Sequence, residues 1–362
     1  MIYFFVGTTA ELIKLFPIMV EMKNRNLDYE IISSGQNDIR NSSILQKFEL
    51  KGPSLVLSDT SHKQTSLGLI TWFIKTLLKG RKSIKNKYGK LKGKVLIVHG
   101  DTVSTLLGAM LGKLMGMTVC HVEAGLRSFN YLNPFPEELD RVLTSRLARV
   151  HFSPNEWASS NIKNKRNNNI IISSGENTLL DSLRLSKSVE VGNDYTPKGK
   201  PYFVFVIHRQ ENLFDTEFVK FMVSRCIQES EKTHCVLVLH ELTRSKLDEL
   251  GLLEELRRNI NFTLIPRLEY IDFMRVLTSC EYLVTDGGSN QEEAYYMGKP
   301  CLILRTHTER TEGLGTNVVL SKKSHRLIDE FLMDPYKYKY DSKLNFSHPS
   351  KIIVDSLIEI EG

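Results

Sequence analysis

The stretch Thr285-Asp286-Gly287-Gly288-Ser289-Asn290-Gln291-Glu292-Glu293-Ala294 decides how the chain is read. It follows Tyr282-Leu283-Val284, an apolar run with the length of a buried strand, and it leads into a short segment ending at Gly298, a residue suited to stop a helix. Lys299-Pro300 then opens a second apolar run, Cys301 to Leu304. The order is therefore strand, glycine turn, helix start, strand. Glycines let the backbone approach a ligand, and the free N–H groups at a helix start suit a phosphate. Glu292 and Glu293 point in different directions on a helix, so one can accept hydrogen bonds from ribose hydroxyls while the other caps or faces solvent. The bland alternative is an ordinary strand–helix turn with Ser289 as its cap.

The same alternation runs through the chain. Strands are expected at Ile2 to Val6, Tyr29 to Ile32, Lys94 to Val98, Met117 to His121 and Val150 to Phe152. Helices are expected at Glu11 to Met22, Leu67 to Leu78, Thr105 to Met115 and Glu137 to Ala148, with Pro17 kinking the first or delaying its start. A polar stretch, Ser186 to Lys200, carries Gly192, Asn193, Pro197 and Gly199 and reads as a linker. A second set of strands follows at Tyr202 to Ile207, Cys235 to Leu239, Phe262 to Ile265, Tyr282 to Val284 and Cys301 to Leu304, and Pro349 opens a final amphipathic helix. The pattern predicts an α/β protein of two domains, 1–185 and 201–345, with mostly parallel sheets.

Composition narrows the function classes. The 362 residues carry a net charge of +6, with 41% hydrophobic and 25% charged residues, ordinary for a soluble globular protein. Much of the positive charge lies in 75–93, where Tyr88 alone interrupts the later lysines; the aromatic interleaving of nucleic-acid binders is missing. The five cysteines form no C-x-x-C pair and read as reduced core thiols, which argues for a cytoplasmic protein and against a disulfide frame or zinc site. The first residues read as a strand rather than a signal peptide, and no apolar run reaches the ~18 residues of a membrane span.

Chemically suggestive residues collect at the strand ends, where open α/β sheets bind ligands. They are Gly7-Thr8-Thr9-Ala10-Glu11 with Lys14, Val98 to Thr102 with Asp101, His121 to Arg127 with Glu123, Pro134 to Glu138 followed by Asp140-Arg141, and Ile207 to Asn212 with His208 and Arg209. Each has a bland reading. Asp101 can cap a helix, Glu137 can favour a helix start, His208 can be a half-buried histidine, Arg209 can pair with Glu211, and Lys14 can be a surface lysine beside Glu11. Their joint placement points instead to a site, because converging carboxylates are costly unless chemistry needs them.

These residues resemble the non-hydrolysing UDP-N-acetylglucosamine 2-epimerases. The resemblance covers nearly the whole chain and rests on His99-Gly100-Asp101-Thr102, His121 to Arg127, Pro136-Glu137-Glu138, His208 to Asn212, Gln291-Glu292-Glu293 and Thr308-Glu309-Arg310, in that order and spacing. It implies two Rossmann-like domains in a GT-B arrangement, with the last helix returning to the first domain. It also implies catalytic roles for Asp101, Glu123, Glu137, His208 and Lys14. Substrate contacts are implied for Thr9, Arg141, Arg209, Gly287, Gly288, Ser289, Glu293 and Arg310, with Glu293 on the ribose. The reaction implied is epimerisation at C2 of UDP-GlcNAc or a related UDP-sugar, with UDP eliminated and re-added, and no metal or redox cofactor. The expected partner is the UDP-sugar alone, without nucleic acid or membrane insertion; a homodimer stays open. A glycosyltransferase or a hydrolysing relative on the same frame is the alternative.

The sequence departs from the family pattern at several points. Gly7-Thr8-Thr9-Ala10-Glu11 stands where the family has Gly-Thr-Arg-Pro-Glu, so a planar anion-binding arginine is missing. Asp286-Gly287-Gly288-Ser289 replaces Asp-Ser-Gly-Gly, Gly175-Glu176-Asn177-Thr178 interrupts Gly-Asn-Thr, and Gly35-Gln36-Asn37 replaces the Gly-Gln-His of the bacterial allosteric site, although Arg209 and His240 match.

Overall fold

Strand β1 (Ile2–Val6) is buried along its whole length, as a central parallel strand covered on both faces must be. In the computed structural model, which describes residues 1–58, 66–131, 135–163, 169–189 and 194–361, it lies inside a sheet of seven described strands. The others are β2 (Tyr29–Ser33), β3 (Leu55–Val56), β4 (Val95–His99), β5 (Thr118–Val122), β6 (Val150–Ser153) and β7 (Ile170–Ser173). Their order is β3-β2-β1-β4-β5-β6-β7, and every pairing is parallel. The strand order reverses between β1 and β4, so the loops after these two strands diverge and leave a crevice at their carboxyl ends.

The helix after β1 shows how local chemistry sets the frame. It runs Thr9–Asn24 and starts at a capping box, in which Thr8 accepts from the Glu11 N–H and Glu11 reaches back to Thr8. Pro17 sits inside it and does not delay its start. A proline removes the N–H that would serve the carbonyl four residues earlier, here Ile13. That carbonyl accepts instead from the Ser182 hydroxyl at 2.6 Å. The expected penalty of Pro17 is thus offset by a side chain far along the sequence.

The chain divides into two compact units. One comprises Met1–Ser182 with Ser347–Gly362, the other Leu183–Phe346. Within the first, the closing helix Pro349–Glu361 packs on Thr9–Asn24, Arg25 pairs with Asp355 at 2.5 Å, and the Met1 amino group pairs with Glu361. Its core joins Phe5, Ile32, Leu96, Val98, Leu107 and Val119.

The second unit holds a parallel sheet of six described strands, ordered β10-β9-β8-β11-β12-β13. These are β8 (Tyr202–Val206), β9 (His234–Leu239), β10 (Phe262–Pro266), β11 (Leu283–Thr285), β12 (Cys301–Ile303) and β13 (Val318–Leu320). Its order reverses between β8 and β11. The core is aromatic, with Phe203 stacked on Tyr282 at 4.9 Å between ring centres and Phe331 against the latter. The helix after β11 is Gly288–Met297, and Gly298 ends it in the left-handed conformation, φ 69°. Gly192 and Asn193 of the polar stretch, like Pro134, lie outside the described residues. Among those described, no helix is long and apolar enough to cross a membrane, and all five cysteines are buried free thiols.

Candidate active site

In the first unit the functional residues follow β1, β4 and β5, three neighbours in the sheet. Lys14, on the helix after β1, is 5% exposed and reaches the Glu123 carboxylate at 2.5 Å. The surface-lysine reading is thereby overturned. Glu123 comes directly after β5 with φ 63°, a backbone conformation that non-glycine residues adopt at a cost of about 1–3 kcal/mol and keep where function needs it. The same carboxylate oxygen accepts from Asn177, and His99 lies 3.6 Å from it. Asn177 therefore reaches the site despite the inserted Glu176.

Asp101 follows β4. It does not cap the next helix, Val103–Leu114, because Thr102 does so with its own capping box. Asp101 instead pairs with Arg141. The loop carrying it is held from β5, where His121 lies 2.8 Å from the Gly100 carbonyl; burial pushes that imidazole down to about 4, so it is neutral and can donate from Nε2. Glu11 ties this loop to the one after β1. It accepts from Gly7 N–H at 2.5 Å and from the Thr102 hydroxyl, and burial lifts it to about 7 against these bonds.

Glu137 is the first residue of the helix Glu137–Leu147 and has a buried oxygen, Oε2, without a hydrogen-bond partner among the described residues. Glu138 beside it is fully engaged. It accepts from Arg127 at 2.5 Å and Ser128 N–H at 2.9 Å, with Arg141 at 3.5 Å. Burial alone would raise its pKa, but these donors hold it below the usual carboxylate range. Thr9 opens its helix and donates from its N–H to Asn37 at 3.3 Å.

In the second unit, His208 follows β8 and sits beside the turn after β11. Asp286 is fully buried there and collects three donors, the His208 N–H at 3.1 Å, the Arg209 N–H at 3.0 Å and Asn212 at 3.0 Å, with Nδ1 of the His208 ring 3.0 Å away. Burial would raise it, yet the His208 and Arg209 contacts hold it below its ordinary value, so it stays ionised beside the His208 ring. His208 also stacks on His240, ring centres 4.7 Å apart. The Arg209 side chain lies 3.6 Å from Glu211, as its bland reading supposed.

The helix Gly288–Met297 starts without a side-chain cap. Gly287 is its N-cap and Ser289 lies inside it, so the expected capping serine is not one. Two arginines flank this start: a Cβ on Gly288 would lie 3.2 Å from Arg310 Nε and 3.7 Å from Arg305 Nη1. Arg310 pairs with buried Glu292, and Arg305 with Glu309 at 3.1 Å. Arg305 is 7% exposed, and its Nε and Nη1 have no hydrogen-bond partner among the described residues. An uncapped helix start with a buried guanidinium holding donors in reserve suits an anion. Gln291 clamps the following loop by donating to the carbonyls of Arg310 and Glu312 at 3.1 and 3.0 Å. Glu293 is 2% exposed and accepts from Asn290 at 2.8 Å, so neither glutamate of the pair faces solvent.

Sequence reasoning singled out neither Asn177, Asp286 nor Arg305 as site residues. Asp286 stood in the quoted motif, and a carboxylate at a strand end beside a histidine was the available signal. Asn177 stood in the interrupted Gly175-Glu176-Asn177-Thr178 motif, and Arg305 gave no signal beyond its residue type. Among the described residues no group of three or more His, Cys, Asp or Glu is placed to hold a metal ion.

The comparisons bear on this arrangement. The family profile described as UDP-N-acetylglucosamine 2-epimerase matches residues 20–339. A curated UDP-N-acetylglucosamine 2-epimerase of Methanocaldococcus jannaschii is 30% identical over 341 residues, covering 89% of each chain. The crystal structure of the UDP-GlcNAc 2-epimerase from that organism, in complex with UDP-GlcNAc and UDP, superposes with a TM-score of 0.78 at 26% identity, covering 99% of both chains. The Neisseria meningitidis enzyme bound to UDP-GlcNAc gives 0.82 at 26% identity, again with 99% of both chains covered. With a matching fold, a matching profile and the strand-end residues in the expected order, the chain belongs to the UDP-N-acetylglucosamine 2-epimerase family.

Proposed function

We propose that the chain epimerises UDP-GlcNAc, or a related UDP-N-acetylhexosamine, at C2 by eliminating and re-adding UDP. The observation that carries this reading is the set of carboxylates Asp101 and Glu123, at the ends of neighbouring strands and held by Arg141, Lys14 and Asn177, with Glu137 at the start of the helix Glu137–Leu147. The C2 proton of such a sugar has no adjacent carbonyl to acidify it. Its removal is assisted when the C1–O bond to UDP breaks at the same time. The C2–H electrons then form the C1=C2 double bond, and the β-phosphate oxygen keeps the pair of the broken C1–O bond. Positive charge develops at C1 on the way, and ionised carboxylates stabilise it. One group takes the proton, another returns it to the opposite face of C2, and the retained UDP adds back at C1.

In this reading the second unit holds UDP. The phosphates lie at the uncapped start of Gly288–Met297 beside Arg305 and Arg310, and Glu293 takes the ribose. Asp286, 3.0 Å from Nδ1 of His208, holds an imidazole beside this site. The product would be a UDP-ManNAc-type sugar for surface polysaccharide.

The test is incubation of the purified protein with UDP-GlcNAc in heavy water, with no acceptor added. The expected result is deuterium at C2 and formation of the 2-epimer. Asp101→Asn, Glu123→Gln and Glu137→Gln should each lower kcat by at least roughly a hundredfold, with non-additive losses because all three act on one transition state. Free sugar released with no deuterium at C2 would replace this reading with hydrolysis at C1.

A further inference from the structure

Asp140 is a buried carboxyl that the reaction described above does not use. It lies on the helix Glu137–Leu147, one turn after Glu137 and directly before Arg141, and is 4% exposed. Its Oδ2 is buried with no hydrogen-bond partner among the described residues, as is Oε2 of Glu137. A buried ionised carboxylate without donors is too costly to keep. The positive charge nearby is committed elsewhere, since Arg141 serves Asp101 and Glu138, and Arg127 serves Glu138. His121 of β5, which faces Arg141, is neutral.

We propose that Asp140 is a positioning residue of this site, a third acid that stays protonated and so adds no negative charge beside Asp101 and Glu137. Burial first, then the negative charges of Asp101 and Glu137, push Asp140 up to about 8. Below that pH Asp140 is uncharged beside Asp101 and Glu137. Above it a further negative charge enters a region where the nearby described cations, Arg141 and Arg127, already serve Asp101 and Glu138. Repulsion then displaces the side chains of Asp101 and Glu137, and turnover falls. Asp140 works through its neighbours and does not touch the sugar.

The inference rests on the epimerase reading for its effect on turnover, but the proton itself can be seen without turnover. Infrared difference spectra of the wild-type protein and Asp140→Asn should differ at pH 7 by one protonated carboxyl band, and the wild-type band should disappear between pH 7 and 9.5. The kcat of the wild type on UDP-GlcNAc should fall above about pH 8. In Asp140→Asn, which keeps the shape and cannot ionise, that alkaline fall should be lost, raising the ratio of kcat at pH 9 to kcat at pH 7 at least fivefold over wild type. No carboxyl difference at pH 7, or an unchanged alkaline fall in Asp140→Asn, overturns the proposal. A carboxyl difference with no turnover on UDP-GlcNAc in either protein would keep the proton on Asp140 and refute the epimerase reading instead.

Discussion

Lys14 illustrates how burial decides the weight of a residue. Its ammonium and the Glu123 carboxylate are 7% and 4% exposed, so each is the other's substitute for water. Removing one partner of such a pair strands the other, at a cost of about 3–5 kcal/mol. Lys14→Met should therefore destabilise the first unit by that order, read from urea unfolding, besides lowering activity. A loss below about 1 kcal/mol would mean that Asn177 and His99 suffice for Glu123. Residues of this kind are only partly legible in sequence. Lys14 stands three positions after Glu11 and reads as its surface partner, but Glu11 turns back to its own helix start and Lys14 goes to a residue 109 positions away. Asn177 and Arg305 were hidden for the same reason, since their roles depend on partners brought near only by the sheet. Asp101, Glu123 and His208 stood out as candidates because strand ends mark themselves: an apolar run stops and a charge follows; Glu137 stood out at a helix start after Pro136.

Among the elements, strand–helix alternation was readable wherever the strand was buried on both faces, as in β1, β4, β8 and β9. β3, β7 and β13 were not: β3 has two residues, β7 is partly exposed along its length, and β13 combines three residues with partial exposure, whereas β11 and β12, equally short but buried throughout, were read. The helix Ser66–Tyr88 runs ten residues beyond its expected end because lysines there solvate an outer face without stopping the helix. Stop signals were more dependable when a conformation demanded them. Gly298 has φ 69°, and a Cβ there would come within 2.1 Å of the Tyr340 carbonyl oxygen. Gly298→Ala should cost about 2 kcal/mol or more, from the left-handed backbone plus the displaced carbonyl. The check is the shift in denaturant midpoint at constant m-value; a change under about 0.5 kcal/mol would show that the 340 segment yields freely.

At the scale of the whole molecule, two sheets with separate cores mean that a ligand held by one should leave its mark there first. Saturating UDP at 100 times its Kd should stabilise the binding unit by about 2.7 kcal/mol. Hydrogen exchange should then show slowed amides in 285–312 and the strands beneath, and Glu293→Ala should weaken that protection at fixed UDP. Protection confined to Met1–Ser182 would contradict a nucleotide site after β11. Family and two-sheet architecture were legible from the ordered strand-end motifs. The residue at which the chain changes unit was not, because the helix Leu179–Lys187 continues through it.

The closing helix gives synthesis a different order from completion. Residues 183–346 are all synthesised before Pro349–Glu361, so the second unit can begin to fold while the first still lacks the helix that covers Thr9–Asn24. Until then the nascent first unit exposes an apolar helix face, and a stalled ribosome would present that face to chaperones and proteases. The part of the protein made first is, on this geometry, the part finished last.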